Sequence, residues 1–217
     1  MNSPELVHRI REPAGEPEGA LLLMHGRATD ENDLFPILDF LDPEKRLLGI
    51  TPGGPLTDQP PGGRHWYAVK EIGYPEPRTF AEGYAALTGF LDATLEERGI
   101  DWSQTVAGGF SQGAVMSYAV GLGEGRPRPA GILAMSGFIP TVEGWEPDLA
   151  SRKGLPVLIA HGELDPVISV EFGRKARELL TEAGLDVSYH ESRMAHSIDP
   201  RVVPEIADWV ARVTGAG

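Results

Sequence analysis

Apolar positions along this chain fall into short runs separated by turn residues, and most of the runs do not alternate. Ala20–Met24 is a continuous run that ends at His25-Gly26, and 47–51 is another, stopped by Pro52-Gly53-Gly54-Pro55. Thr105–Phe110, 132–135 and 156–160 complete the set, the last ending at His161-Gly162. Four to six apolar residues in a row, bounded by turns, predict strands buried on both faces. Residues 6–10 alternate weakly and predict an edge strand, and 187–190 predict a last one. Between the strands the period changes. Phe80, Tyr84, Leu87, Leu91 and Leu95 recur at spacings of three and four and predict a helix over 79–98. Thr79 is placed to cap it, with Glu82 three residues on and Gly99 at its end. Further helices are predicted over Gln112–Leu122, over 169–183 closed by Gly184, and over 202–213. The stretch 52–63 is so rich in proline and glycine that it is predicted to be loop. Alternating strands and helices predict an α/β fold: a mostly parallel central sheet with helices on both faces. No repeat or long linker divides the chain, so residues 1–217 are expected to form a single domain.

Composition narrows the chemistry. The 217 residues include no cysteine, which removes disulfides, thiolate metal sites and cysteine nucleophiles. The formal net charge is −13, which argues against nucleic acid and against stable association with anionic membrane surfaces. The longest apolar run, Ala20–Met24, is far below the roughly 18 residues of a membrane span. Residues 1–13 contain no apolar core of a secretory signal, so a cytoplasmic location is expected. The sequence is equally compatible with a monomer and a homodimer.

The residues most suggestive of chemistry are Gly109-Phe110-Ser111-Gln112-Gly113, a G-x-S-x-G pattern lying between a predicted strand and a predicted helix. A turn this tight forces its serine into a strained conformation, with glycine on either side making room for crossing chains. The hydroxyl is then presented above the sheet at a helix N-terminus, where the dipole favours developing negative charge. A glycine-rich turn with a merely capping serine is the plainer alternative. A serine hydroxyl needs a base within hydrogen-bond reach, and the base needs an orienting carboxylate. In α/β-hydrolases these follow in the order Ser, acid, His. Of six histidines, His196 lies in the loop between the last strand and last helix, where it can reach over the serine. Asp165 follows the strand over 156–160 and is the expected acid, with Glu163 two residues earlier as the alternative. His161, Glu163 and Asp165 could also be read as metal ligands, but the spacing is wrong for a helical pair and no metal is expected. No cofactor is called for. Two backbone N–H groups are needed for an oxyanion. Gln112, just after the serine, supplies one, and Arg27, in the loop after Ala20–Met24, is expected to supply the other through its amide.

The set HGRATDENDL, TPGGP, Trp66-Tyr67, GGFSQGAVM, MSGFIP, HGELDPVI and MAHSI resembles the phospholipase/carboxylesterase family, which includes bacterial short-chain carboxylesterases and acyl-protein thioesterases. The resemblance runs from about residue 20 to about residue 210. It implies a compact α/β-hydrolase without a large lid, with Ser111, Asp165 and His196 as catalytic triad and Arg27 and Gln112 as oxyanion donors. Ala28 departs from it, standing where members often carry glycine. The resemblance also places Trp66 and Tyr67 near the substrate pocket, although packing against the sheet rim is an equal alternative. Phe138 is a third candidate for the pocket wall.

The expected function is hydrolysis of a small-molecule ester with a short to medium acyl chain, by acylation and deacylation of Ser111. The same site should accept thioesters, since a thiolate leaves readily. Acyl-protein thioesterase or lysophospholipase activity is the alternative within hydrolases, and a non-enzymatic binding protein on the same scaffold is the alternative outside them.

Overall fold

The structure is a computed structural model in which residues 6–58 and 61–216 are described. In chain order its strands are β1 (His8–Arg11), β2 (Ala20–Met24), β3 (Leu48–Pro52), β4 (Leu56–Asp58), β5 (Pro61–His65), β6 (Val69–Glu71), β7 (Tyr74–Pro75), β8 (Thr105–Phe110), β9 (Gly131–Met135), β10 (Pro156–Gly162) and β11 (Asp186–Ser192). The α-helices are α1 (Leu38–Leu41), α2 (Pro77–Arg98), α3 (Gln112–Leu122), α4 (Val170–Glu182) and α5 (Val203–Thr214). Seven strands form one sheet in the order β1-β3-β2-β8-β9-β10-β11. The edge strand β1 is antiparallel to β3 and every other pair is parallel.

Non-alternating strands serve two cores at once. Ala20, Leu22 and Met24 of β2 join Leu87, Leu91, Val115 and Leu180 on the face covered by α2, α3 and α4. Leu21 and Leu23 point the other way, to Leu38 and Leu41 of α1 and Ile206, Trp209 and Val210 of α5. Each residue of β2 is fully buried, which is why the run carries no polar position. The chain leaves β2 for β3 on one side, then crosses to β8 on the other and continues outward through β9, β10 and β11. The loops after β2 and β8 therefore diverge. The carboxyl ends of these strands are where open parallel sheets bind their ligands.

Two expectations are corrected, and one short helix is added. The stretch 52–63 is not all loop, because β4 and β5 pair as an antiparallel hairpin. Its partner explains it: Arg64 N–H donates to Thr29 O (2.6 Å) and Ala28 N–H to Arg64 O (3.0 Å). Gly63 is needed for this approach, since a Cβ there would fall on the Ala28 carbonyl. Second, α2 begins at Pro77 rather than at Thr79, and its cap is Glu76. The residue before proline is held extended, and proline fits the first helical turn. The short α1, with a 3₁₀ turn at Phe35–Ile37 before it, carries too few residues to show a period and was not predicted.

The Glu76 carboxylate accepts from Thr79 N–H (2.8 Å), Thr79 Oγ (2.6 Å) and Arg78 N–H (3.2 Å). The Thr79 bonds, to hydroxyl and to amide, hold its pKa down at about 2. Because the folded value lies below the ordinary 4.5, the cap's ionic stabilisation is complete above that pH and disappears as pH falls through about 2. The melting temperature of Glu76→Gln should therefore fall less between pH 5 and pH 2 than that of the wild type.

Candidate active site

Ser111 sits between β8 and α3 at φ 56° and ψ −118°, a conformation a non-glycine residue adopts only when its surroundings impose it. Two glycines make the turn possible. A Cβ at Gly113 would fall on the Met24 carbonyl, and one at Gly109 would lie 2.7 Å from the same oxygen. The elbow is pinned by Ser111 N–H donating to Met135 O at 2.9 Å. As the first residue of α3, Gln112 has a backbone N–H with no partner inside the helix.

The loop after β11 brings His196 over this elbow. His196 Nε2 lies 2.9 Å from Ser111 Oγ, and His196 Nδ1 lies 2.6 Å from Asp165 Oδ2. The Asp165 side chain is fully buried and that of His196 is partly exposed. Asp165 is aimed by its own turn, with Oδ1 accepting from Val167 N–H (2.8 Å) and Ile168 N–H (2.9 Å). The acid and base loops are stitched together by Glu163 N–H to Ser192 O (2.7 Å) and Leu164 N–H to Met194 O (3.0 Å). Phe110 supports the imidazole from the side, its ring centroid 4.8 Å from that of His196. Such a relay lets a hydroxyl proton pass to Nε2 while the carboxylate keeps the Nδ1 proton in place.

The other candidates divide. Glu163 is exposed, whereas Asp165 makes the contact to the histidine. Among the described residues no group of three or more His, Asp and Glu is arranged to hold a metal ion. His25 is buried and faces Gly26 O (2.6 Å) through Nδ1, while Nε2 accepts from Gly54 N–H (2.9 Å). Burial pushes its pKa down, so it stays neutral and braces the loop after β2. Gly26 in that loop abuts the elbow: a Cβ there would be 3.4 Å from Ser111 Cβ. Ala28 takes the left-handed conformation (φ 65°) that glycine adopts freely. Its N–H is used by Arg64 O and, at 3.3 Å, by His65 Nδ1.

Trp66 and Tyr67 are 0% and 2% exposed, whereas Phe138, 4% exposed, lines a surface cavity of about 250 Å³ with Ile139 and Phe172. Trp66 Nε1 donates to His25 O (2.9 Å), the Tyr67 ring lies against Phe80, and that of Phe138 against Phe172. The residue that places the first two is Gln112. Its side-chain oxygen accepts from Trp66 N–H (3.0 Å) and its amide donates to Tyr67 O (2.9 Å). A polar side chain at the first position of a buried helix was the available signal for this. Gln112→Ala would leave both buried backbone groups unpaired at a cost of about 2–4 kcal/mol. A lower urea midpoint with an unchanged slope would register it. Leu164 and Val167, on either side of Asp165 in its loop, are exposed apolar side chains (59% and 51%) that the sequence did not announce.

A serine elbow at the carboxyl edge of a mostly parallel sheet, with an acid and a histidine delivered by later loops, defines an α/β-hydrolase. More narrowly, the chain belongs to the phospholipase/carboxylesterase family, whose model matches residues 6–214. It is 29% identical to acyl-protein thioesterase 1 of Debaryomyces hansenii over 92% of each chain. Among solved structures it resembles the Bacillus cereus carboxylesterase (TM-score 0.83, 22% identity, 97% of this chain and 95% of that one). It also resembles esterase PE8 (TM-score 0.81, 24% identity, 96% and 99%). Among the described residues no helix is long and apolar enough to cross a membrane.

Proposed function

We propose that this protein is a serine carboxylesterase that hydrolyses short- to medium-chain carboxylic esters through an acyl-enzyme on Ser111. The observation that carries the reading is the continuous hydrogen-bonded relay from Ser111 Oγ through His196 to Asp165. In the first half-reaction Ser111 Oγ attacks the ester carbonyl as its proton moves to His196 Nε2. The backbone N–H groups of Gln112 and Arg27 receive the oxyanion, and the departing alkoxide takes the proton from His196. Water then repeats the sequence on the acyl-serine and restores the hydroxyl. Asp165 holds the imidazole in the tautomer that leaves Nε2 free to accept.

Short and soluble substrates fit a chain whose residues are mostly spent on the sheet and its covering helices, leaving few for a cap. Exposed Leu164 and Val167, in the same loop as Asp165, are the apolar side chains this reading assigns to an alkyl group. These exposed apolar side chains, together with the likeness to an acyl-protein thioesterase, favour long-chain thioester or lysophospholipid hydrolysis as the second reading. Initial rates on p-nitrophenyl esters from acetate to palmitate separate them. A maximum at short or medium chains is expected, and a maximum at palmitate would transfer the proposal to the second reading.

A further inference from the structure

The reading above makes no use of His161, a fully buried imidazole at the carboxyl end of β10. Its Nε2 lies 2.9 Å from the carbonyl of Ile168 and 3.6 Å from Asp165 Oδ2. A carbonyl only accepts, so Nε2 carries the proton. Nδ1 is then a bare acceptor, buried and without a hydrogen-bond partner among the described residues. It rests against α4 at Gly173, where a Cβ would come within 2.8 Å of it. A leucine would fill this space and remove the orphaned Nδ1, but it would leave the Ile168 carbonyl without its donor, so the histidine is held here for its Nε2–H rather than for packing.

The surroundings of Asp165 supply the account. Its Oδ1 is occupied by the amides of Val167 and Ile168. Its Oδ2 faces two imidazoles, His196 at 2.6 Å and His161 at 3.6 Å. Ile168 is held through both of its backbone groups, its N–H by Asp165 and its C=O by His161. We propose that His161 is a positioning residue for the hydrolytic reaction: by tying the Ile168 carbonyl it holds the turn whose amides grip Asp165 Oδ1, and so fixes the direction in which Oδ2 meets His196. Burial also pushes the pKa of His161 down, so the ring places a dipole beside the carboxylate rather than a competing charge.

The inference rests on the Ser111–His196–Asp165 reading, and the test keeps the two apart. The wild type, Ser111→Ala, His161→Leu and His161→Gln are compared on one ester well below their melting temperatures. His161→Leu should lower kcat by about 10- to 100-fold with KM within about twofold, as for other losses of a group that orients a reacting residue. Glutamine, whose amide reaches the position of Nε2, should restore most of the rate. In proton NMR the downfield resonance of the His196–Asp165 hydrogen bond should weaken or shift in His161→Leu and return in His161→Gln. A folded His161→Leu with the wild-type kcat and resonance would overturn the role of His161 while leaving the relay intact. Undiminished activity in Ser111→Ala would overturn the relay itself. Should the leucine variant fail to fold, nitrogen-15 shifts of the wild-type histidines decide. The proposal requires the neutral Nε2–H form of His161, and the Nδ1–H form would overturn it.

Discussion

Alanine in place of Ser111 should lower kcat for ester hydrolysis by about 10⁵- to 10⁶-fold while leaving the fold intact. The hydroxyl is the only group removed. The Ser111 N–H that pins the elbow to Met135 O belongs to the backbone and remains. Alanine tolerates φ 56° no worse than serine does, so the strain of the turn is unchanged. On the proposed mechanism the residual rate is that of water attacking an ester held between the amides of Gln112 and Arg27. Steady-state rates paired with thermal melts check both halves: a collapse in kcat with a melting temperature within about 2 °C of the wild type.

Asp165→Asn should be the next most damaging change, at about 10³- to 10⁴-fold in kcat, and its cause is tautomeric rather than electrostatic alone. The turn around residue 165 decides which way the new amide points. Val167 and Ile168 present two N–H donors to Oδ1, so the asparagine oxygen must stay there. Its NH₂ is left facing His196 Nδ1, which can then only accept, and the proton moves to Nε2. That nitrogen is the one that must take the proton from Ser111, 2.9 Å away. KM should change little, since neither nitrogen binds substrate. A kcat within tenfold of the wild type would show that Asp165 does not set the tautomer.

These relations were unequally legible in the sequence. The elbow announces itself because its geometry admits almost nothing but glycine at 109 and 113, so the steric requirement is written as residue identity. The central strands are legible for the same kind of reason: burial on both faces leaves no polar position in 20–24 or 132–135. The β4–β5 hairpin is hidden because its pairing is stabilised by a distant segment, Ala28-Thr29, and its glycines, which read as loop, serve a positive φ at Gly62 and the close approach to Ala28 at Gly63. Glu76 was passed over as a cap because glutamate is not among the residues that usually cap helices; only the following proline marks the position. Trp66 and Tyr67 stand out in the sequence as a pair, yet no local pattern distinguishes an aromatic that lines a cleft from one drawn into the core. Their burial is imposed by the side chain of Gln112, some 45 positions away in the chain. His161 escaped for a related reason. As a histidine ending a strand before glycine it looks like His25, and only the three-dimensional placement of Asp165 gives it a different task.

The central claim is that Ser111 is a nucleophile activated by its neighbours, and covalent capture tests it without any assumption about the substrate. A fluorophosphonate probe reacts with an activated serine and ignores an ordinary one. Incubation of the wild-type protein with the probe, followed by intact-mass measurement and peptide mapping, should give one adduct per chain, on the peptide containing Ser111. The adduct should be absent from Ser111→Ala and formed far more slowly in His196→Ala. No adduct on the folded wild-type protein, or an adduct that persists in Ser111→Ala, would contradict the account.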